Sequence, residues 1–408
     1  MHIKELEQYI GKTPELHYIP TYDPKPETDW YGIKALWYDG PTYKGQKTKV
    51  FAYIGYPQTK SQEKVPAVVL VHGGGGHAYG EWIRRWNEKG FAAIAMELCG
   101  YLPDRQWIGL LGTEENKDHR YVHTLYGELS EAGYTLGPDN VEMADSALPL
   151  EEQWMYHAVA DTILAHNILR NDEKIDAAKI GITGISWGGV VASIAIGYDT
   201  RYAFAIPLYG SGYIDRTPSP RGLPYLFHDP IVQKNWSAAD RLYRVNFPVF
   251  WQCWRKDRCF SPLGNSLSYI NTKKANAFLS ISATIGHSHK CGWNAPESYR
   301  FAERILSGKL PFIKASEEPS DFAPFSIPLQ IPEDFTDIKI SLVYTDSPIT
   351  YDENDVLTNE WKTCPLTLQG NTVHGEAPRS ARCYYLEMSG KTDGVLYSST
   401  TPLVNWAP

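Results

Sequence analysis

The chain has 408 residues, 43% of them hydrophobic and 21% charged, and this globular composition and length predict two domains. The formal net charge of −8, without a cluster of Lys and Arg, argues against nucleic-acid binding, and no apolar stretch approaches the ~18 residues of a membrane span. Six cysteines in a chain of this length exclude a disulfide scaffold.

The first residues bear on the compartment. Residues 1–7 lack the apolar core of a signal peptide. We therefore expect a cytoplasmic protein, or a periplasmic or secreted one if a signal has been removed. Cys364 and Cys383 could pair in an oxidising compartment, and the sequence leaves that pairing open.

Short apolar runs predict the first strands. Residues 34–38 and 49–54 are typical of strands that pair antiparallel at a sheet edge. Residues 66–71 predict a buried strand, residues 82–86 lie in a predicted helix, and residues 91–96 predict a further strand.

A glycine loop follows the strand at 66–71. The segment His72-Gly73-Gly74-Gly75-Gly76 leaves backbone N–H groups able to approach a ligand closely. Acyl transfer needs such donors at the developing oxyanion, so Gly73, Gly74 and Gly75 are predicted oxyanion donors. The alternatives are a flexible turn or a phosphate-binding loop, with Glu97 near the offset of the acidic residue in the dinucleotide fingerprint.

Residues 100–150 are polar and too long for a simple connection, which predicts a lid-like insertion. Aromatic rings suit carbohydrate faces. We expect four side chains to line this insertion: His119, Tyr121, His123 and Tyr126. Of these, Tyr126 is a candidate substrate contact.

A serine turn lies between a predicted strand and helix. After a helix at 151–170, the apolar run 180–183 leads into Gly184-Ile185-Ser186-Trp187-Gly188. A Gly-x-Ser-x-Gly turn in this setting holds its serine at a strained bend above the sheet. Ser186 is the predicted nucleophile, and the N–H of Trp187 is the predicted partner donor of the oxyanion hole.

The next strands carry the predicted acid. After a strand at 204–209, residues 210–246 form a second lid-like insertion, with Tyr213 and Trp236 as candidate substrate contacts. The strand at 248–252 then precedes Trp254, a further candidate contact, and Asp257. Asp257 is the predicted acid; alternatively it is a solvated loop carboxylate, in which case Asp215 is the next candidate.

Two histidines compete for the role of base. Residues 278–285 predict a strand that ends in Gly286-His287-Ser288-His289. His287 is preferred because it directly follows the strand end, and His289 is the alternative. The pair could also bind a metal with Asp257 as a third ligand, but no further cluster supports a metal site or any cofactor.

The chain order Ser186, Asp257, His287 is that of the α/β-hydrolase fold. A serine hydroxyl is a poor nucleophile until an imidazole takes its proton, and a carboxylate must fix the tautomer of that imidazole. We therefore predict an α/β-hydrolase with a mostly parallel central sheet and helices on both faces.

Beyond the predicted helix at 296–308, prolines are frequent and the hydrophobic periodicity is lost. Residues 311–335 are therefore a predicted linker. Alternating runs at 338–344 and 382–388 predict a small β-sandwich-like domain over 336–408, after a catalytic domain over 1–310. This module could bind carbohydrate, brace the catalytic domain or mediate dimerisation.

In four places the sequence resembles α/β-hydrolase esterases of the acetyl xylan esterase and dienelactone-hydrolase-like kind. These places are Val71-His72-Gly73-Gly74-Gly75, the serine turn at 184–189, Asp257 and the segment 286–289. The resemblance covers about residues 30–308, and the trailing module also resembles the tail of a bacterial subgroup of these esterases. It implies a serine hydrolase that removes acyl groups, often acetyl, from plant polysaccharide or its oligosaccharides.

The expected substrate is therefore a small-molecule or oligosaccharide ester, with no nucleic-acid or membrane partner and with a homo-oligomer left open. The serine turn also resembles that of prolyl-oligopeptidase-type peptidases, which makes a serine peptidase the enzymatic alternative. A catalytically silent hydrolase fold that only binds is the non-enzymatic alternative.

Overall fold

The computed structural model describes residues 3–59, 63–99, 106–107, 121–122, 133–217, 223–347, 349–350, 352 and 357–404. The chain forms two compact units, one from residue 3 to residue 180 and the other from residue 181 to the C-terminus. The chain passes from the first unit to the second within strand β9 (Ile175–Ile185).

The first unit contains a mixed sheet and three described helices. Its sheet has the order β1-β2-β3-β5-β4, in which β4 and β5 are parallel and the other contacts are antiparallel. A short β8 lies parallel to β3, and β6 pairs with β7. The elements are β1 (Leu16–Tyr18), β2 (Lys34–Asp39), β3 (Lys47–Gly55), β4 (Val65–Val71), β5 (Ala92–Met96), β6 (Gln106–Trp107), β7 (Tyr121–Val122), β8 (Tyr134–Thr135), α1 (Lys4–Glu7), α2 (Gly80–Glu88) and α3 (Trp154–Asn171).

The second unit begins with parallel strands. The order is β9-β10-β11-β12, with every contact parallel. The elements are β9 (Ile175–Ile185), β10 (Phe204–Leu208), β11 (Phe250–Trp254), β12 (Phe278–Ser282), α4 (Trp187–Tyr198), α5 (Leu223–Leu226), α6 (Pro230–Trp236), α7 (Pro262–Thr272), α8 (His289–Trp293) and α9 (Pro296–Leu306).

The apolar runs explain these strands and the helix that carries the serine turn. All five residues of β5 and all five of β10 are buried, which is typical of strands covered on both faces. Helix α4 is apolar on every side, and each of its residues is buried, as expected for a helix inside the core. The predicted mixed, mostly parallel central sheet with helices is confirmed.

The C-terminal β module, strands β13–β20, consists of two antiparallel four-stranded sheets. The sheet orders are β13-β14-β18-β17 and β16-β15-β19-β20. One apolar cluster takes side chains from both sheets, including Ile327, Leu342, Val373 and Leu386, so they share a core as in a sandwich. The strands are β13 (Lys314–Ala315), β14 (Phe325–Gln330), β15 (Thr336–Thr345), β16 (Lys362–Pro365), β17 (Thr367–Gln369), β18 (Thr372–Gly375), β19 (Cys383–Thr392) and β20 (Val395–Thr400).

Two features differ from the predicted domain boundaries. Residues 311–335 include β13 and β14 rather than only a linker, and β14 pairs with β18 over four residues. Residues 181–310 belong to the same compact unit as the β module. The prolines hid this strand because Pro328 lies inside it and interrupts the pattern.

Three further predictions concern a membrane span, the pairing of two cysteines and the insertion at 100–150. Within the described residues, no helix is long and apolar enough to cross a membrane. Cys364 is exposed, Cys383 is buried, and both are free thiols. Most of the lid-like insertion at 100–150, including His119, His123 and Tyr126, lies outside the described residues.

Candidate active site

Ser186 occupies a one-residue turn between a strand and a helix. Strand β9 ends at Ile185, α4 begins at Trp187, and Ser186 between them has φ +58° and ψ −120°. A positive φ is costly for a residue with a Cβ and persists only where the surroundings enforce it. The Ser186 N–H donates to the Leu208 carbonyl at 2.9 Å, which ties the turn to the end of β10.

The glycines around Ser186 are required by close backbone contacts. A Cβ on Gly184 would lie 2.1 Å from the Gly188 carbonyl oxygen, and one on Gly189 would lie 2.7 Å from the Leu208 oxygen. Neither neighbour is a flexible side chain that could move away. The glycines therefore allow the helix to begin directly after the strand, which is the condition for the bend.

Three predicted residues meet at this turn. The His287 Nε2 lies 2.9 Å from the Ser186 Oγ, and the His287 Nδ1 lies 2.6 Å from the Asp257 Oδ2. A carboxylate accepts hydrogen bonds, so Nδ1 carries a proton and Nε2 is left to accept one from the serine hydroxyl. This is the arrangement in which an imidazole can activate a serine.

Asp257 is held as an acceptor. Its side chain is 1% exposed, and its Oδ1 accepts the N–H groups of Cys259 at 2.8 Å and Phe260 at 3.1 Å. With both oxygens bonded, the carboxylate is fixed in the orientation that faces His287. Asp215, the alternative acid, pairs instead with its neighbour Arg216 at 3.2 Å.

The imidazole of His287 also stacks on aromatic rings. The Tyr209 ring centroid is 4.7 Å away at 18°, and that of Phe260 is 5.9 Å away at 21°. Tyr209 follows β10 with φ +50°, and burial raises the pKa of its hydroxyl well above the usual value, so the ring is neutral. Neither ring was predicted from the sequence, in which the position of Tyr209 at the end of a predicted strand was the available signal.

The alternative base lies elsewhere in the loop. His289 begins α8, and its ring centroid is 6.5 Å from that of Trp293. Within the described residues, no group of three or more His, Cys, Asp and Glu side chains is placed to hold a metal ion.

The two predicted sources of oxyanion donors lie in different units. Trp187 is the first residue of α4, where backbone N–H groups have no partner within the helix, and its ring lies 6.4 Å from that of Phe227. In the first unit, Gly73–Gly76 form a turn closed by a 3.0 Å bond from the Gly76 N–H to the Gly73 carbonyl, with Gly75 at φ +67°.

Buried polar groups support this glycine turn. The His72 Nδ1 lies 2.8 Å from the Gly73 carbonyl, and its Nε2 accepts the Leu98 N–H at 3.1 Å. Glu97 is 3% exposed and accepts the Ala78 N–H at 2.8 Å. Glu97 therefore supports the loop from the protein interior, where a dinucleotide ribose could not reach it.

The candidate substrate contacts have different surroundings. Trp236 is only 1% exposed, so it is a core residue and offers no surface to a substrate. The partly buried Tyr213 accepts a 2.9 Å hydrogen bond from Asn271 through its hydroxyl. The Trp254 indole, at the end of β11, donates to the Ala283 carbonyl at 3.3 Å. Trp236 was predicted wrongly because its place in an insertion suggested exposure.

A cleft of about 440 Å³ borders the His287 loop in the second unit. Thr284 and Ile285 line it just before His287, and Lys290 and Cys291 line it just after. Glu297, at the start of α9, also lines the cleft, and burial raises the pKa of its carboxyl to about 7.

The model of the prolyl oligopeptidase family matches residues 148–223, which include Ser186. Comparison with curated proteins gives no significant match.

Similar solved structures include two acetyl xylan esterases. The esterase from Paenibacillus sp. R4 is 17% identical at a TM-score of 0.50, covering 74% of this chain and 99% of that one. Acetyl xylan esterase 1 from Thermoanaerobacterium sp. JW/SL YS485 is 14% identical at a TM-score of 0.52, covering 75% and 99%. The acylaminoacyl peptidase of Pyrococcus horikoshii is 16% identical at a TM-score of 0.46, covering 72% and 42%.

The fold and the serine turn agree with these matches. The chain therefore has the α/β-hydrolase fold that these two acetyl xylan esterases share, with Ser186 inside the segment that the prolyl oligopeptidase family model matches and two antiparallel sheets at its C-terminus.

Proposed function

We propose that the chain is a serine carboxylesterase that removes acyl groups, above all acetyl, from carbohydrate esters. The observation that carries the proposal is the continuous line of hydrogen bonds from Ser186 through His287 to Asp257. The fold shared with two acetyl xylan esterases over 99% of their length supports the choice of substrate class.

In the first half of the reaction, the Ser186 Oγ attacks the ester carbonyl carbon while the His287 Nε2 takes the hydroxyl proton. Asp257 stabilises the resulting imidazolium through Nδ1. The intermediate then loses the sugar alcohol, whose oxygen receives the proton from Nε2. An acyl group is left on Ser186.

In the second half, His287 deprotonates a water that attacks the acyl carbon, and the carboxylic acid leaves as the proton returns to Ser186. The proposed oxyanion donor of the second unit is the Trp187 N–H, whereas the roles of Gly73, Gly74 and Gly75 remain predictions from the sequence. The first N–H of a helix that directly follows the nucleophile supports the choice of Trp187.

Hydrolysis of p-nitrophenyl esters of increasing acyl length tests the proposal. Ser186→Ala should lower kcat by about 10⁶-fold, because the group that forms the acyl bond is gone. Ser193→Ala is a matched control in the same helix, since its hydroxyl only donates to the Gly189 carbonyl, and it should keep wild-type activity. Full hydrolysis by Ser186→Ala would refute a nucleophilic role for Ser186.

The proposed roles of Asp257 and His287 are tested in the same assay. Asp257→Asn should lower kcat by about 10⁴-fold because the amide favours the wrong imidazole tautomer, whereas Asp215→Asn should have no such effect. Of His287→Ala and His289→Ala, only the first should abolish acylation. A loss of activity confined to Asp215→Asn or His289→Ala would move the role to that residue.

A peptidase is the second candidate, because the prolyl oligopeptidase model matches the segment around Ser186. Acetylated xylo-oligosaccharides and acylated peptides distinguish the two in one experiment. Release of acetate from the sugar with intact peptides supports the esterase, and the reverse supports the peptidase. Labelling by a fluorophosphonate without turnover of either would identify a live nucleophile with another substrate.

A further inference from the structure

A two-residue segment connects strand β11 to Asp257, and its first residue is Arg255. The Arg255 N–H donates to the Ser282 carbonyl at 2.7 Å, so its backbone continues the pairing of β11 with β12. The Asp257 N–H then donates to the Trp254 carbonyl at 3.0 Å, which closes a tight turn. The position of the Asp257 carboxylate is therefore tied to that of Arg255.

The side chain of Arg255 contacts the C-terminal β module. Its Nη1 donates to the Tyr385 hydroxyl at 3.2 Å, and its guanidinium lies 5.4 Å from the centre of the Trp361 ring. The rings of Trp361 and Tyr385 lie 5.7 Å apart. Arg255 is thus held on its face by a cation–π contact and on its edge by a hydrogen bond.

The environment makes this contact selective for a cation. Tyr385 is 0% exposed on β19, and burial raises the pKa of its hydroxyl well above the usual value, so it stays neutral. Two residues along the same strand, Glu387 is partly buried; burial raises the pKa of its carboxyl, and the positive charge of Arg255 opposes that rise. A neutral hydroxyl, an aromatic face and a nearby carboxylate together form a receptor for one guanidinium.

Other contacts attach the module away from the triad. Asp334 of the module accepts two bonds from Arg300 on α9, at 3.0 and 3.1 Å. Glu318 accepts a 2.7 Å hydrogen bond from the Tyr269 hydroxyl on α7 and forms an ion pair with Lys273. Attachment alone does not need Arg255, and the Arg255 contact differs because it lies two residues from Asp257.

We propose that the β module contributes to the active site by positioning Asp257. Tyr385 and Trp361 hold the side chain of Arg255, and this contact keeps Asp257 aligned with His287. Arg255, Tyr385 and Trp361 are positioning residues, because they act through Asp257 and touch no reacting atom. This inference rests on the proposed function in one respect, which is that Asp257 acts as the acid.

The inference predicts a loss of reactivity with little loss of binding. A displacement of about 1 Å in a catalytic group can cost about 10²-fold in rate. Arg255→Ala should slow the labelling of Ser186 by a fluorophosphonate by roughly 10- to 100-fold, and should lower kcat with KM within about twofold of wild type. Tyr385→Phe, which removes one hydroxyl and keeps the ring, should give a smaller loss in the same direction.

A matched control separates alignment from stability. Glu318→Ala removes the hydrogen bond from Tyr269 on α7 and the ion pair with Lys273, two contacts of the module that do not involve the segment from β11 to Asp257. We expect it to lower Tm to an extent comparable with Tyr385→Phe while the labelling rate stays at the wild-type value. A fall in labelling rate that simply follows Tm across all the variants would overturn the inference.

A double-mutant cycle tests whether the effect passes through Asp257. In an Asp257→Asn background the alignment of the carboxylate no longer matters, so Arg255→Ala should cause no further loss of labelling. Fully additive losses, or an unchanged rate in Arg255→Ala alone, would overturn the inference. Wild-type labelling without ester hydrolysis would contradict the proposed function and leave this test intact, whereas no labelling of wild type would contradict both.

Discussion

At the scale of single residues, burial decides the chemistry of the site. Asp257 is 1% exposed and accepts two backbone N–H groups in addition to its contact with His287. A buried charge is tolerated only when such partners replace water. The same residue that would be a solvated loop carboxylate in another turn is here an oriented hydrogen-bond acceptor.

The carboxyl of Glu297 links pH to stability. Burial raises its pKa to about 7, so between pH 5 and about 7 the folded chain keeps a proton that the unfolded chain releases, and stability falls as the pH rises through this range. Glu297→Gln should reduce that fall by about 2 kcal/mol, because the amide has no proton to release. Urea unfolding at pH 5 and pH 8 measures the difference.

Glu317→Gln is the control for this experiment, since the side chain of Glu317 is exposed. It should leave the pH dependence of unfolding as in wild type. An equal pH dependence in wild type and Glu297→Gln would show that another group carries the linkage.

The sequence predicted that Ser186, Asp257 and His287 lie close together because each follows a strand, and the ends of parallel strands meet at one edge of a sheet. Tyr209 and Phe260 could not be found in this way, since stacking on His287 depends on backbone turns such as φ +50° at Tyr209. The contacts of Arg255 were also invisible, because Tyr385 lies 130 positions away.

At the scale of elements, the turn from β9 to α4 is the feature on which the site depends. The strand passes directly into a helix because Gly184 and Gly189 permit backbone contacts that a side chain would block. Helix α4, whose residues are all buried, then anchors the far side of the turn. The strain at Ser186 is thus maintained by packing on both sides.

Gly184→Ala should displace this turn. Its Cβ would lie 2.1 Å from the Gly188 carbonyl oxygen, so the free energy of unfolding should fall by about 2 to 3 kcal/mol and the labelling of Ser186 should be largely lost. Urea unfolding and fluorophosphonate labelling measure the two effects.

Gly137→Ala serves as the comparison for this substitution. Among the described residues, its Cβ would meet only the His157 Nδ1, at an ordinary 3.6 Å, so stability and labelling should stay near wild type. Normal labelling in Gly184→Ala would mean that the turn can form without this glycine.

Element prediction succeeded where the apolar pattern was uninterrupted, as in β4 and β5. It failed at β14 because Pro328 seemed to exclude a strand. The Pro328 carbonyl accepts the Ser316 N–H at 2.9 Å, on the side of β13, and its missing N–H would lie on that same side. Since β13 has only two residues, little pairing is lost there.

At the scale of the whole molecule, the β module and residues 181–310 form one compact unit. Arg300 shows how they are joined. Its side chain is 7% exposed, bonds to the Pro311 carbonyl and to Asp334, and lies within 5 Å of the ring centres of Phe335 and Tyr397. Periodicity predicts each part but not these contacts between parts.

Arg300→Ala should therefore destabilise both parts together. Loss of a buried cation that leaves a partly exposed Asp334 should cost about 2 to 4 kcal/mol of unfolding free energy. Activity and tryptophan fluorescence should be lost in a single urea transition. Separate transitions would show that the module and residues 181–310 unfold independently.

The comparison for Arg300→Ala is Lys391→Met, which breaks an exposed ion pair with Asp337 inside the module. It should change the unfolding free energy by less than about 1 kcal/mol.

The contact between Arg255 and Tyr385 has a consequence for the order of events during protein synthesis. Tyr385 is made 130 residues after Arg255, and at 5–20 residues per second the delay on the ribosome is roughly 7 to 26 seconds. For the last 98 residues of this interval, after His287 has been made, the nascent chain contains Ser186, Asp257 and His287. It should nevertheless become fully reactive only after the last strands are released, so chains that stop before Tyr385 should be labelled at Ser186 roughly 10- to 100-fold more slowly than the full chain.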